Sequence, residues 1–175
     1  MPLSLGNYWV YEDSIFQNGN FLRVQYDTLR YQFTWKSLPD DLIWWESNFS
    51  VGLPKRIYAN DSAFFQLEPR FFTPGILDAK KGFGLFEGDS IRYLTSFDDI
   101  AAMGRSVKLS NNLETEEESF ENCILFEKHA WNYRRDQIFF KPGIGVVKYR
   151  KEVAPMGTFV IKLQQVSTLV AYNIE

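Results

Sequence analysis

The sequence has one cysteine, one histidine and no excess of positive charge, and each shortage argues against a class of function. A lone Cys123 forms no disulfide within the chain, and Cys123 with His129 supplies too few ligands for a structural zinc site. A Ser-His-Asp arrangement would have to be built around His129, and no Gly-x-Ser-x-Gly motif accompanies it. The formal net charge of -3 provides no field that would hold a nucleic-acid backbone. We therefore expect no nucleic-acid partner, no metal, no cofactor and no enzymatic activity.

Long apolar runs are missing as well. No stretch of about 18 uninterrupted apolar residues occurs, so we expect no transmembrane segment. After Met1 the chain continues as Pro2-Leu3-Ser4-Leu5-Gly6, without a basic n-region, an apolar h-region or a lipobox cysteine. Two alternatives stay open. Either the protein is cytoplasmic, or an export signal has been removed from a protein of the periplasm or from a lipoprotein anchored to the outer membrane.

The sequence is rich in aromatic residues and in segments where apolar and polar residues alternate with a period of two. Aromatic residues make up 17% of the chain, and each contributes about 1.5–3 kcal/mol when it is fully buried. A chain of 175 residues fits one hydrophobic core, so residues 1–175 are predicted to form a single β-rich domain. The predicted fold is mainly β, an antiparallel, strongly curved sheet or half-open barrel with at most one or two short helices.

Turn residues and alternation place the elements along the chain. Asn18-Gly19 supplies the positive φ angles of a tight hairpin turn. In the next strand the apolar residues move from one face to the other near Thr28, which predicts a bulge or short turn there. Ser96 is predicted to cap a short helix that runs from Asp98 to Met103. Further strands are predicted at 43–51, 63–67, 91–97, 122–131, 137–141 and 146–151, with one or two more between 158 and 174.

Several chemically conspicuous residues are interpreted as structural. Cys123 is expected to pack as a small hydrophobe, with its pKa raised by burial. His129 shares strand parity with Cys123, so its ring is expected at the end of a sheet and partly wet. The acidic stretch Glu114–Glu118 is expected to be a solvated strand face or turn. The glycines of Pro142-Gly143-Ile144-Gly145 predict a turn that requires positive φ.

Adjacent pairs of aromatic residues are the candidate binding site. Consecutive strand residues point to opposite faces, whereas a sheet with one dry face needs only one large ring of each pair. The second ring therefore either packs under a loop or another layer, or lines an apolar groove that could hold an acyl chain or a peptide. In the groove alternative the predicted ligand-binding residues are Trp44, Trp45, Phe64, Phe65, Phe71, Phe72 and Phe139.

Short motifs at both ends of the chain resemble those of a known family. Residues 2–11 (PLSLGNYWVY), 119–123 (SFENC) and 140–149 (FKPGIGVVKY) resemble segments of uncharacterised lipoproteins of Gram-negative envelopes, and residues 170–174 look like their closing strand. The resemblance implies a half-open antiparallel barrel similar to lipoprotein-carrier folds, whose concave face can hold a hydrophobic ligand. It carries over no catalytic residue.

The leading functional hypothesis is therefore a non-enzymatic envelope protein that binds a lipid or another apolar ligand in the concave face of its sheet. The alternative is a structural or protein-interaction module that engages an envelope protein partner and has no small-molecule ligand.

Overall fold

The computed structural model describes residues 3–38, 40–53, 55–59, 63–66, 80–84, 90–97 and 100–174, with the backbone alone at 59, 63–66 and 80–84. Every regular element in these residues is a β-strand: β1 Tyr8–Gln17, β2 Asn20–Lys36, β3 Ile43–Ser47, β4 Arg56–Ala59, β5 Ala63–Gln66, β6 Lys80–Gly84, β7 Ser90–Phe97, β8 Ile100–Lys108, β9 Leu113–Glu114, β10 Ser119–Phe120, β11 Ile124–Ala130, β12 Arg134–Lys141, β13 Gly145–Val153 and β14 Lys162–Asn173. None of the described residues belongs to a helix that could cross a membrane.

Twelve of these strands form one antiparallel sheet, in the order β6-β5-β4-β3-β2-β1-β14-β13-β12-β11-β8-β7. The two remaining strands, β9 and β10, pair with each other as a small hairpin. The terminal strands β1 and β14 are neighbours near the middle of the sheet, and no described pairing joins its outer strands β6 and β7. The prediction of a mainly β, antiparallel and open sheet is confirmed.

The hairpin predicted at Asn18-Gly19 is present. Asn18 and Gly19 have φ angles of 53° and 88°, and the flanking residues Gln17 and Asn20 pair directly. Positive φ at both central positions gives the turn a twist that matches the flanking strands. The turn predicted at Pro142-Gly143 is present too, because Gly143 has a φ of 85° and the Ile144 amide donates to the Lys141 carbonyl at 3.1 Å.

The bulge or short turn predicted near Thr28 is not present at that residue, and the register of β2 with β3 shifts a few residues later, between Tyr31 and Phe33. Pairing between β1 and β2 continues without interruption from Tyr8↔Arg30 to Ile15↔Arg23, so the strand passes straight through this position. The apolar residues change face for another reason. Val24 and Tyr26 are apolar but exposed, on the face of the sheet opposite to the buried Leu29. Their side chains contribute nothing to the core.

The helix predicted between Asp98 and Met103 is also wrong in its described part, because Ile100 begins strand β8. Pairing with β7 runs from Phe97↔Ile100 to Ser90↔Val107 and satisfies the backbone groups of this segment. A helix of six residues would bear the full cost of nucleation for very few hydrogen bonds. Residues 98 and 99 lie outside the described part of the chain.

The main hydrophobic core covers one face of the sheet, which we call the inner face. Side chains of β1, β2 and β11–β14 meet there, together with the segment after β3. Val51 and Leu53 of that segment are buried in the core, and Gly52 between them lies against Ile138 and Tyr149. The chain's own residues therefore fill the centre of the inner face.

Two side chains of β1 complete the hydrogen bonding of β13. Pairing of β13 with β14 begins only at Lys148↔Thr168, so the preceding carbonyls need other donors. Trp9 Nε1 donates to the Ile144 carbonyl at 2.8 Å, and the Tyr11 hydroxyl donates to the Val146 carbonyl at 2.8 Å. These bonds tie the first strand to a turn 135 residues away in the sequence.

Candidate functional site

The structure places the paired tryptophans in two different layers. Trp44 is fully buried, with its ring stacked at 5.8 Å on Trp35 and 5.7 Å from Tyr58. Trp45 packs against the main core, where its ring meets that of Tyr31 edge-on at 6.1 Å. Each ring of this pair therefore has partners within the protein on its own face of β3.

The other predicted ligand-binding residues lie elsewhere. Phe139 on β12 is partly buried against the main core, and four strands of the sheet separate it from Trp44 on β3. Phe64 and Phe65 are in β5, for which only the backbone is described, and Phe71 and Phe72 lie outside the described residues. Ligand binding by these seven aromatic residues stays a prediction.

One end of the sheet forms a surface that was not predicted from the sequence. A continuous row of paired residues crosses eight strands, and it consists of Arg23, Ile15, Gln165, Lys151, Asp136, Lys128, Gly104 and Tyr93. The four turn segments bounded by this row are 15–23, 93–104, 128–136 and 151–165, and we call them the rim. They adjoin one another, because the Ala154 amide donates to the Tyr133 carbonyl at 2.8 Å, and a Cβ on Gly19 would lie 3.8 Å from Lys162.

The rim carries most of the large apolar side chains that are exposed among the described residues. Ten of the seventeen exposed large hydrophobic side chains in the described residues lie on it, although the rim makes up just under a third of the residues whose side chains are described. Trp131 and Phe159 are 83% and 79% exposed. The ten are Phe21, Leu22, Leu94, Ile100, Met103, Trp131, Tyr133, Met156, Phe159 and Val160. Apolar side chains clustered in this way mark a contact surface for a membrane or a protein.

The solvent-facing charge of the described rim is basic. Its basic residues are Arg23, Lys128, Arg134, Arg135, Lys151 and Lys162, against two described acids. Those acids, Asp136 and Glu152, are each only 6% exposed. Asp136 is paired with Arg134, and Glu152 with Arg135 and Arg150. Asp98 and Asp99 also belong to the rim by sequence and lie outside the described residues.

A buried carboxyl group lies on the inner face near the rim. Asp13 on β1 is fully buried between Gln25 and Ser167, and neither of its oxygens accepts a hydrogen bond of normal geometry from the described residues. Burial raises the pKa of Asp13, and the nearby Asp27 carboxylate adds to this effect, whereas Ser167 and Gln165 oppose it. Asp13 is therefore more readily neutral than a surface aspartate.

The two conspicuous reactive residues occupy structural positions. Cys123 is fully buried, its Sγ lies 3.6 Å from the Phe120 carbonyl oxygen, and burial raises the pKa of the thiol. A raised thiol pKa disfavours the nucleophilic thiolate. His129 lies near the end of β11, where it pairs with Arg135 and Met103 and is partly exposed.

The acidic stretch forms an exposed turn on the outer face. Thr115 and Glu118 close the β9–β10 turn through a backbone hydrogen bond of 3.0 Å. A cleft of about 270 Å³ is lined by Glu12, Glu114, Thr115, Glu116, Glu117, Lys148, Thr168 and Val170. Among the residues with described side chains, no three histidine, cysteine or acidic residues are arranged to hold a metal ion.

Sequence reasoning did not find the rim, although part of the signal was present. The turn Trp131-Asn132-Tyr133 carries two large aromatic residues at positions where polar side chains are usual. The loop between β13 and β14 likewise carries two large apolar residues, Phe159 and Val160. That these turns share one end of the sheet follows only from the strand order. The pairing of Asp136 with both Lys128 and Lys151 depends likewise on register.

The chain matches no family model, no curated protein and no solved structure. The fold and the site thus define a class by their own features. This is a mainly β protein with an open antiparallel sheet, an inner face whose centre is filled, and an apolar rim whose described residues are mainly basic.

Proposed function

We propose that this chain is a non-enzymatic protein of the cell envelope that binds lipid, and that the rim makes the contact. The observation that carries the proposal is the concentration of exposed apolar side chains on four adjoining turns. The centre of the inner face is filled by Val51, Leu53 and the surrounding core, so among the described side chains the rim offers more accessible apolar surface than the inner face does.

The chemistry of the rim fits the interface of a bilayer. Aromatic side chains such as Trp131 and Phe159 favour the headgroup region, where one part of the ring is dry and another is wet. Lys162 and Arg23 are exposed on the same rim and can face lipid phosphates while the rings are inserted. The envelope location is supported by the motif resemblance of residues 2–11, 119–123 and 140–149.

The proposal assigns no reaction to the protein. Cys123 is a buried thiol with a raised pKa, and His129 lies between neighbours of β8 and β12 rather than beside a nucleophile in the strand register. These positions favour binding over catalysis.

Flotation with phosphatidylcholine vesicles tests the proposal. The native protein should float with the vesicles, and a Trp131→Ser/Phe159→Ser double variant should bind at least tenfold more weakly, because each ring contributes on the order of 1.4 kcal/mol or more. Leu38→Ser is the matched control, since Leu38 is 83% exposed at the opposite end of the sheet. Failure of the native protein to float, or an equal loss in the Leu38 variant, would contradict the proposal.

A second candidate rests on the edge of β2 that faces away from β1. Residues 20–30 pair with β1 on one side, and β3 joins the other side only from Tyr31 onward. Asn48 accepts from the Arg30 amide and donates to the Thr28 carbonyl on that side, so none of the described strands pairs with the edge at residues 20–27. Phe21, Val24 and Tyr26 are exposed along this edge, to which a strand of an envelope partner protein could add. The same flotation experiment separates the two candidates, because an edge-strand interaction gives no binding to protein-free vesicles.

A further inference from the structure

The edge of β2 that faces away from β1 presents backbone groups without a partner among the described residues. Successive residues of an antiparallel strand direct their amide and carbonyl groups alternately to one neighbouring strand and to the other. The Arg30 amide and carbonyl and the Thr28 carbonyl point away from β1, because all of them bond to Asn48. Tyr26 and Val24 follow in the same alternation, since the pairing with β1 is regular here. Their amides and carbonyls therefore point to the open edge.

The stretch that can accept another strand has a defined length. At one end Asn48 occupies the edge from Thr28 onward. At the other end the pairing with β1 skips Leu22, and such a bulge bends the strand. The regular part of the edge is thus residues 23–27, which we call the open ladder, and Gln25 is its centre.

The open ladder is complementary to itself in the antiparallel direction. Its sequence is RVQYD, so a two-fold axis at Gln25 places Arg23 of each copy opposite Asp27 of the other. Val24 of each copy then lies opposite Tyr26 of the other, and these residues exchange hydrogen bonds between their amides and carbonyls. Opposite charges, and a β-branched residue facing an aromatic one, stabilise directly opposed positions of a sheet. The symmetry makes each of these contacts twice.

The charges on the inner side of the ladder support this arrangement. Asp27 accepts from Gln25 Nε2 at 2.9 Å and forms no ion pair with the described residues. The fully buried Asp13 lies next to it, and the pKa of Asp13 is raised by its burial and also by Asp27. Arg23 is exposed on the same face and likewise has no ion pair with the described residues. Arg23 of a second copy would supply the positive charge that these two carboxyl groups lack.

We propose that two copies of this chain associate through residues 23–27 of β2 and form one continuous antiparallel sheet across a two-fold axis. A second copy fits this edge better than an unrelated strand, because it carries both a cation for Asp27 and an anion for Arg23 at the required spacing. The inference does not depend on the lipid contact of the rim. The axis is perpendicular to the sheet, so the two rims point in opposite directions and Lys162 of each copy stays exposed on its own rim.

Two charge-reversal variants test the register. Arg23→Asp brings like charges together at both ends of the ladder, and so does Asp27→Arg. Each variant alone should self-associate at least roughly tenfold more weakly than the native protein, because repulsive pairs replace attractive ones at two places. An equimolar mixture of the two variants should associate again, since unlike charges then meet between unlike copies. Sedimentation velocity over a series of concentrations measures each dissociation constant.

Lys55→Asp is the matched control, because it changes the net charge as Arg23→Asp does, at an exposed position outside β2. It should leave the association unchanged, and thermal unfolding shows that each variant is folded. Hydrogen exchange of the native protein gives a measurement that needs no variant. The amides of Val24 and Tyr26 should exchange more slowly at high protein concentration than after dilution.

The outcomes that contradict the proposal are distinct. A native protein that stays monomeric at every concentration would overturn it and leave the edge to a strand of another protein. Association that neither reversal weakens, or that Lys55→Asp weakens equally, would place the interface elsewhere on the molecule. A mixture that associates no better than the single variants would refute the pairing of Arg23 with Asp27.

Discussion

At the scale of single residues, Gly52 shows how one small residue fixes a loop against the sheet. It has a φ of 72°, a conformation that side chains with a Cβ rarely adopt. A Cβ at this position would lie 2.7 Å from Ile138 Cγ1 and 2.7 Å from a ring carbon of Tyr149. Both the backbone and the packing therefore require glycine, and the buried position of Val51 and Leu53 depends on it.

Gly52→Ala should lower the free energy of unfolding by about 2–4 kcal/mol, combining the cost of left-handed backbone with that of overpacking. Urea unfolding followed by tryptophan fluorescence measures the change. Gly157→Ala is the matched control, because Gly157 has a φ of 78° with no atom within 4 Å of its Cβ position, and it should cost only about 1–2 kcal/mol. Equal losses in the two variants would mean that Gly52 is required for its backbone alone.

At the scale of elements, side chains donate hydrogen bonds to backbone carbonyls that strand pairing leaves without a partner. The Val146 carbonyl lies before the first β13–β14 pair and accepts instead from the Tyr11 hydroxyl. Tyr11→Phe should destabilise the protein by about 1–3 kcal/mol, because it leaves a buried acceptor without a donor. Tyr26→Phe removes a hydroxyl that donates to Glu12 on the exposed surface and should change stability by less than about 0.5 kcal/mol. Urea unfolding of both variants measures the difference, and a Tyr11 effect as small as that of Tyr26 would contradict this role.

The two wrong element predictions share a physical cause. The alanines of Ile100–Met103 suit a short helix, yet a hairpin partner in β7 provides hydrogen bonds that such a helix would form poorly. In β2, Val24 and Tyr26 look like core residues, although they face solvent. In both cases the neighbouring element decides the conformation or the buried face, and local propensity does not contain that information.

At the scale of the whole molecule, the order of the sheet places the two terminal strands at its centre. β1 lies between β2 and β14, and β14 lies between β1 and β13, whereas β7 ends the described sheet. Backbone amides of β1, β13 and β14 should therefore exchange with solvent mainly through global unfolding, and those of β7 at least roughly tenfold faster through local opening. Hydrogen exchange followed by mass spectrometry measures both groups. Equal protection of β7 and β1 would show that this edge is covered.

Much of the strand content could be read from local patterns. Alternation and turn chemistry correctly located the hairpin at Asn18-Gly19, the turn at Pro142-Gly143 and most strands of the last third. The burial of Cys123 was predictable for the same reason, because its apolar neighbours lie within a few residues. Parity also places Asp13 on the same side as Trp9 and Tyr11, a signal that would have identified it as a buried acid.

The candidate site, in contrast, is a product of tertiary structure. The turns near residues 19, 132 and 158 and the Phe97–Ile100 end of the β7–β8 pair adjoin only because antiparallel strands place alternate connections at the same end of one sheet. The cluster of Lys128, Asp136 and Lys151 depends on register, and a shift by one residue would send each side chain to the other face. Local sequence decides which segments are extended, since that depends on near neighbours. Tertiary pairing decides which exposed rings and charges meet, because only the folded sheet sets the distance between them.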